Sequence, residues 1–330
     1  MITAKHIAGA TAFEQLADKW DVIADQGITD TPFQTMAYQQ IWWTHLGEGD
    51  LHTIAVEQDG SLIAVACLNV RGDVVTFNAS KEETDYLDII VTEADAAAAW
   101  EAIFDCLCSD AFPTWQTLDL YNIPAASPSR DLIATEATKR GFSFATERAE
   151  VCPVIPLTGD FDTYLSQIDK KQRHEIRRKM RRAKGAEAEV VIIDESHDLT
   201  QAIDDFLDLL QKSTQEKNSW LNEARTAVFH DTAKVALAAN TLQLMFIEVD
   251  GRRAAALFNF AYKGRTWVYN SGLDPNAFGR LSLGVVLSAA AIETATQLGH
   301  DSFDFLRGDE TYKYRFGAKD TEIYRLIVTK

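Results

Sequence analysis

The densest concentration of potential chemistry in this sequence lies at residues 303–318, Phe-Asp-Phe-Leu-Arg-Gly-Asp-Glu-Thr-Tyr-Lys-Tyr-Arg-Phe-Gly-Ala. A short, mostly apolar strand, Phe303–Leu306, runs straight into three cations (Arg307, Lys313, Arg315), two carboxylates (Asp309, Glu310) and two phenols (Tyr312, Tyr314). Carboxylates and phenols within hydrogen-bonding reach of a substrate can take and return protons. Open α/β sheets bind ligands beyond the carboxyl ends of their strands, where this run falls. The same composition also suits a solvated turn followed by an amphipathic helical turn.

Two strand-to-helix junctions offer further candidates. In the second half, Tyr269-Asn270-Ser271-Gly272-Leu273-Asp274 leads through 275–281 into a helix opening at Ser282-Leu283-Gly284. Ser282 has the character of an N-cap. Gly279, Arg280 and Gly284 add bare backbone and a cation beside the free N–H groups of a helix start, an arrangement that suits a phosphate or pyrophosphate. A capped helix with an incidental arginine reads the same way. In the first half, Asp85-Tyr86-Leu87-Asp88 enters a strand, where aspartate is disfavoured, and alternation puts Tyr86 and Asp88 on one face. Two carboxylates and a phenol there could bind a cation or polar group, or form a turn and an edge.

Residues 170–182 hold eight of the 32 Lys and Arg residues and one acid. On a helix, Leu165, Ile168, Gln172, Ile176 and Met180 form an apolar stripe and Lys170, Arg173, Arg177, Arg181 and Lys184 a positive ridge. In a chain of net charge −17, such a ridge implies an anionic partner: phosphate, nucleotide, RNA backbone or an acidic surface of the protein itself.

The bulk composition narrows the rest. With 330 residues the chain has the length of about two domains. Its acidity opposes binding of nucleic acid or anionic membrane by the molecule as a whole. No apolar run approaches a membrane span, and Met1–Phe13 lacks signal-peptide character, so a soluble cytoplasmic protein is expected. The four cysteines form no Cys-x-x-Cys pair and the seven histidines no ligand cluster, so reduced core thiols and no metal are expected. Gly-x-Gly-x-x-Gly, Walker and Gly-x-Ser-x-Gly loops are missing.

The elements that must position these groups repeat. Helices are expected at Phe13–Ala24 and Tyr38–His45, then strands at Leu51–Glu57, Leu62–Val70 and Val74–Asn78. A strand Tyr86–Val91, a helix Glu93–Cys108, a strand Thr117–Tyr121 and a helix Pro128–Arg140 follow. The second half has helices at Asp160–Lys184, Leu199–Gln215 and Thr226–Ala239. Strands Leu242–Val249, Arg253–Tyr262 and Arg265–Gly272, a helix Ser282–Leu298, and strands Phe303–Leu306 and Glu322–Val328 complete it. Gln58-Asp59-Gly60 and Asp250-Gly251 mark hairpins in corresponding places. Hairpin, strand, helix, strand thus occurs twice, which implies a duplicated α+β module with a boundary near Pro153–Asp160.

Asp85-Tyr86-Leu87-Asp88, the basic helix, the Tyr-x-Ser-Gly-Leu-Asp strand end and the 303–318 block together resemble the tandem-GNAT proteins of the cellulose-biosynthesis (CelD-type) acetyltransferase-like family. These are relatives of the Fem-type peptidoglycan aminoacyltransferases. The likeness spans most of residues 10–330 and is most specific in the C-terminal block. The family often has Ser-Pro-Gly where this chain has Ser282-Leu283-Gly284, which keeps the cap and the glycine but loses the pre-set φ of proline.

The resemblance implies two GNAT-like modules, 1–155 and 156–330, each a mixed, mostly antiparallel sheet flanked by helices. It implies transfer of an acyl group, acetyl first among them, from acyl-CoA to an amine or hydroxyl of a small-molecule or glycan acceptor, in cell-envelope or polysaccharide metabolism. A backbone N–H commonly polarises the thioester carbonyl in such enzymes. Asp309 or Glu310 is then the expected base and Tyr312 the acid. Gly279, Arg280, Ser282 and Gly284 would hold the CoA pyrophosphate. Asp85, Tyr86, Asp88, Tyr269, Arg307 and Lys313 would contact substrate, with Arg307 paired to Asp309 or Glu310. The alternatives are a Fem-type transferase using aminoacyl-tRNA, with the basic helix on RNA, and a non-catalytic accessory protein of polysaccharide biosynthesis.

Overall fold

The computed structural model describes residues Met1 to Lys330. Two compact units divide the chain: Met1–Val151 with Thr321–Lys330, and Cys152–Asp320. The first begins with a strand that the sequence reading did not include, β1 (Ile2–Ala8), followed by α1 (Thr11–Gln15), α2 (Ala17–Ala24) and α3 (Met36–Leu46). The hairpin β2 (Asp50–Gln58) and β3 (Ser61–Arg71) turns at Asp59 and Gly60, both with positive φ. That is the backbone which makes an Asp-Gly pair suit a two-residue turn. Then come β4 (Val74–Phe77), β5 (Ile90–Val91), α4 (Ala96–Leu107), β6 (Thr117–Pro124), α5 (Ser129–Lys139) and β7 (Ser143–Pro156). The expected strand over 86–91 shrinks to β5. The Leu87 N–H is taken by the Asn122 carbonyl, and Asp88 draws hydroxyl partners around itself, so neither residue joins a ladder.

The second unit holds α6 (Phe161–Gln167), α7 (Lys170–Lys184), β8 (Glu189–Ile192), α8 (Leu199–Ser213), α9 (Gln215–Trp220) and α10 (Glu223–Ala238). The single helix expected over 160–184 breaks at Asp169, whose carboxylate accepts from the Lys171 and Gln172 N–H groups and starts a new helix. The hairpin β9 (Leu242–Val249) and β10 (Arg252–Tyr262), then β11 (Arg265–Leu273), α11 (Leu283–Gln297), β12 (Ser302–Asp304) and α12 (Thr311–Arg315) follow. The last strand, β13 (Lys319–Thr329), pairs antiparallel with β6 from Ile323 onward. The closing segment from Thr321 therefore belongs to the first unit, whose continuous part ends at Val151, inside β7.

Within the first unit the strand order is β1-β2-β3-β4-β6-β13-β7, with β5 on β3; within the second it is β7-β12-β11-β10-β9-β8. Both are mixed, mostly antiparallel sheets flanked by helices. In each, one short parallel pairing spans an intervening helix: β4 to β6 over Val74–Val75, across β5 and α4, and β11 to β12 over Arg265–Trp267, across α11. Separate apolar cores fill the two units. Phe13, Trp20, Leu51 and Val65 belong to the first. Ile176, Ile247, Leu257, Leu287, Ile292 and Phe303 belong to the second.

Candidate active site

The geometry of the second unit turns on β11. Opposite β10, Phe258 pairs with Asn270 and Asn259 with Val268, so Tyr269 is the extra residue of a β-bulge. Opposite β12 the ladder stops at Trp267–Asp304, and the two parallel strands part beyond it. At this end of the sheet lies a cleft of about 440 Å³, mostly apolar, lined by Ala255–Leu257, Ser271–Leu273, the loop ending at Gly279, the start of α11, and Tyr312. Such a size and lining suit a small ligand or the reactive end of a larger one.

The start of α11 faces this cleft. An Asp, Asn or Thr side chain caps each of the preceding helices of the unit: Asp160, Asp169, Asp198, Thr214 and Asn222. Ser282 does not cap α11 in that way, contrary to the sequence expectation. Its backbone is left-handed at φ 55°, and its side chain makes no cap hydrogen bond. Its carbonyl instead accepts from the Val285 and Val286 N–H groups. Phe278 is also left-handed, and such non-glycine residues cost on the order of 1–3 kcal/mol each. The glycines are informative too. A Cβ on Gly279 would meet nothing within 4 Å and one on Gly284 only Leu273 Cδ2 at 4.0 Å. Protein packing requires neither to be glycine, so both leave bare backbone for a ligand. Gly272 is different: a Cβ there would lie 2.7 Å from Leu209 Cβ and the Leu210 nitrogen, so close packing of α8 on β11 demands it. Arg280 presents its carbonyl to Arg182 of α7 at 2.8 Å, which ties the basic helix to this loop.

The 303–318 block takes a form the sequence did not show. Lys313 is buried, and its ammonium donates to the carbonyls of Leu306, Arg307 and Gly308 at 3.1, 2.7 and 3.0 Å. It also pairs with Glu310 Oε2 at 2.9 Å. Lys313 thus pins the turn after β12, where Leu306 is left-handed, and contacts protein rather than an open substrate site. Glu310 thus has the buried Lys313 as a partner. Asp309 is exposed and Arg307 half-buried. Tyr312 stacks edge-on against Phe305 at 5.7 Å and borders the cleft. Burial, with the Glu310 charge in addition, raises its phenol above the ordinary range. Although 36% of the residue is exposed, its proton is firmly held.

A residue with no motif around it completes the cluster. Lys217, placed by the Thr214 cap at the third position of α9, donates to Asn270 Oδ1 at 3.0 Å and to the Ser271 carbonyl at 2.7 Å. Its nitrogen lies 3.4 Å from Ser271 Oγ. It therefore sits against β11 where that strand leaves β12. Burial lowers its pKa to about 8; Glu310 and Glu216 oppose the shift and Lys313 adds to it. The signal available in sequence was only a capping threonine three residues before a lysine.

The remaining expected residues lie elsewhere. Tyr269 packs against Phe229, Phe258 and Phe260 at 5.3–5.6 Å. In the first unit, Asp85 is half-buried, and the Tyr86 hydroxyl lies 3.4 Å from Thr321 Oγ1. Asp88 is buried and points inward, correcting the expectation of an open strand mouth. It accepts from Thr29 Oγ1, Ser127 Oγ, Ser129 Oγ and its neighbour's Ile89 N–H at 2.5–3.1 Å. Burial raises its pKa against these four donors. It holds 88–89 to the loop at 127–129. On α7, Arg177 pairs with Asp162 and Arg178 with Glu175, so part of the ridge is locally neutralised. No helix is long and apolar enough to cross a membrane.

Residues 170–314 match the model of an acetyltransferase (GNAT) domain, the stretch that contains the cleft, Lys217 and the 303–314 turn. Among solved structures, that of FemX superposes with a TM-score of 0.68 at 11% identity, covering 94% of this chain and 95% of that one. L-PGS from Bacillus licheniformis has a TM-score of 0.62 at 10% identity, covering 95% of this chain and 91% of that one. The C-terminal domain of a putative lysylphosphatidylglycerol synthetase from Agrobacterium fabrum has 0.60 at 12%, covering 96% and 92%. The fold is shared with these proteins. No curated protein matches the sequence.

Proposed function

We propose that the protein is a GNAT-type acyltransferase that takes an acyl group from acyl-CoA and passes it to an amine or hydroxyl of a small-molecule or glycan acceptor. The observation that carries this reading is the bare, left-handed entry to α11 at the mouth of an apolar cleft beside parted strands. There the N–H groups of Leu283 and Gly284, with Arg280, would receive the pyrophosphate. The acyl chain would lie along Ala255–Leu257 and Ser271–Leu273. Tyr312, which borders the cleft, would protonate the departing thiolate. Asp309 and Glu310 remain the acidic groups nearest to it in sequence, Glu310 tied to Lys313. Arg307, half-buried at the same turn, would contact an anionic part of donor or acceptor.

Calorimetry with CoA tests the donor. Arg280→Ala should weaken CoA binding about tenfold or more, the ~1.5–3 kcal/mol of a charge-assisted hydrogen bond; unchanged affinity would refute this donor site. A second reading is favoured by the Arg182–Arg280 contact, which links the basic helix to the cleft mouth. The donor would then be carried on a longer polyanion, as in transfer from aminoacyl-tRNA. Its mark would be binding of tRNA that falls steeply with salt, abolished when Arg177, Arg178 and Arg181 are reversed to Glu.

A further inference from the structure

Ser271 lines the cleft, and Lys217 does not; Lys217 stands behind it, against the same strand. The ammonium form of Lys217 has three acceptors, of which Ser271 Oγ, at 3.4 Å, is the most distant. A neutral amine has two N–H donors and one lone pair. It can keep Asn270 Oδ1 and the Ser271 carbonyl, while the Ser271 hydroxyl turns to donate to the lone pair. Both protonation states are therefore satisfied with no movement of backbone. Asn270 Oδ1 accepts from the Ser271 N–H at 2.9 Å as well as from Lys217, which fixes the pair. The charged groups acting on Lys217 are Glu216 on its own helix and Glu310 and Lys313 at the turn after β12.

We propose that Lys217, acting through Ser271, accepts the proton that the acceptor amine or hydroxyl loses during acyl transfer. The inference rests on the acyl-CoA reading above. As the acceptor's nitrogen or oxygen bonds to the acyl carbon and the carbon–sulfur bond breaks, the electron pair leaves on the CoA sulfur. The acceptor's proton passes to Ser271 Oγ, and the Ser271 hydroxyl proton passes to Lys217 Nζ. The thiolate takes its proton from Tyr312; once products leave, Lys217 returns its own proton to solvent and the Tyr312 phenolate takes one up. Lysine is suited to this because burial brings its titration near neutrality; arginine cannot deprotonate.

Two measurements test it. Competitive labelling of the full chain with trace acetic anhydride between pH 6 and 11, followed by peptide mapping, reads the titration of Lys217 without substrate. Lys217 should become reactive near pH 8 and the surface lysines two units higher, and Glu310→Gln should move its midpoint down. Release of CoA thiol from acetyl-CoA, with water or glucosamine as acceptor, gives the rate. Wild type should show an acidic limb with a midpoint near 8. Lys217→Arg and Ser271→Ala should each lower the plateau 10²–10⁴-fold, the first abolishing that limb, with CoA affinity and melting temperature near wild type. A Lys217 titrating with the surface lysines, or Lys217→Arg retaining wild-type rate and limb while CoA binds, would overturn the relay alone. Absence of CoA binding by wild type would overturn the donor reading and the relay with it.

Discussion

Replacing Gly284 by alanine should strengthen the fold and weaken ligand binding at once. Gly284 is the second residue of α11 and does not need a positive φ. A methyl group there would lie 4.0 Å from Leu273 Cδ2, ordinary contact distance, and otherwise in the open cleft. Glycine in a helix is worth about 0.5–1 kcal/mol less than alanine, partly through the entropy of the unfolded chain. Since ~1 kcal/mol moves the melting point of a unit of 150–250 residues by about 2–4 °C, Gly284→Ala should melt a few degrees higher without ligand. The same methyl would stand where the pyrophosphate must approach the backbone. Displacing that contact should raise the CoA dissociation constant at least tenfold, ~1.4 kcal/mol. Differential scanning calorimetry without ligand and isothermal titration with CoA supply the two numbers. If Gly284→Ala binds CoA as tightly as wild type, the pyrophosphate does not sit on this helix start. If it melts lower, the glycine serves packing after all.

Gly272→Ala should do the reverse: with its methyl driven to 2.7 Å from the α8 backbone, it should lose about 1–3 kcal/mol, measured by denaturant unfolding. A neutral result would mean that α8 is free to slide. Tyr312→Phe, which keeps the size of the side chain, should lower acyl transfer roughly 10²–10⁴-fold while CoA affinity holds, as expected of the acid. Unchanged turnover would make that phenol structural only. Asp88 is held above its unfolded pKa, so the neutral carboxyl is favoured in the folded state. Its contribution is greatest below the ordinary carboxylate range, ~4, and is lost as pH rises through the folded value. Wild type should therefore lose ground to Asp88→Asn as pH is raised from 4. A difference constant with pH, or growing the other way, would show that the four donors outweigh burial.

Much of the architecture could be read from local patterns. Asp59-Gly60 and Asp250-Gly251 announced hairpins because two-residue turns need positive φ and few residues tolerate it. The α11 start was expected at Ser282 from its capping character, and the helix does begin at Leu283, though without the side-chain cap. What stayed hidden depended on partners distant in sequence. Lys313 looked like a surface cation until three carbonyls of its own turn closed on it. Asp88 looked like a strand mouth until hydroxyls from positions 29, 127 and 129 enclosed it. Lys217 had no motif, because its neighbours come from residues 270–271 and 310–313. The polar first half of β7 disguised a strand, and nothing local says that β13 returns to β6.

That return makes the two units unequal in what they need. Residues Cys152–Asp320 form one continuous stretch carrying the pairings from β12 to β8, so this portion has its own ladder without Thr321–Lys330. The first unit does not. Without those ten residues, the β6 backbone that meets Ile323–Thr329 is an open edge, the kind of surface that invites pairing with other chains. Removing 321–330 should therefore leave the cleft-bearing half folded while the amino-terminal half aggregates.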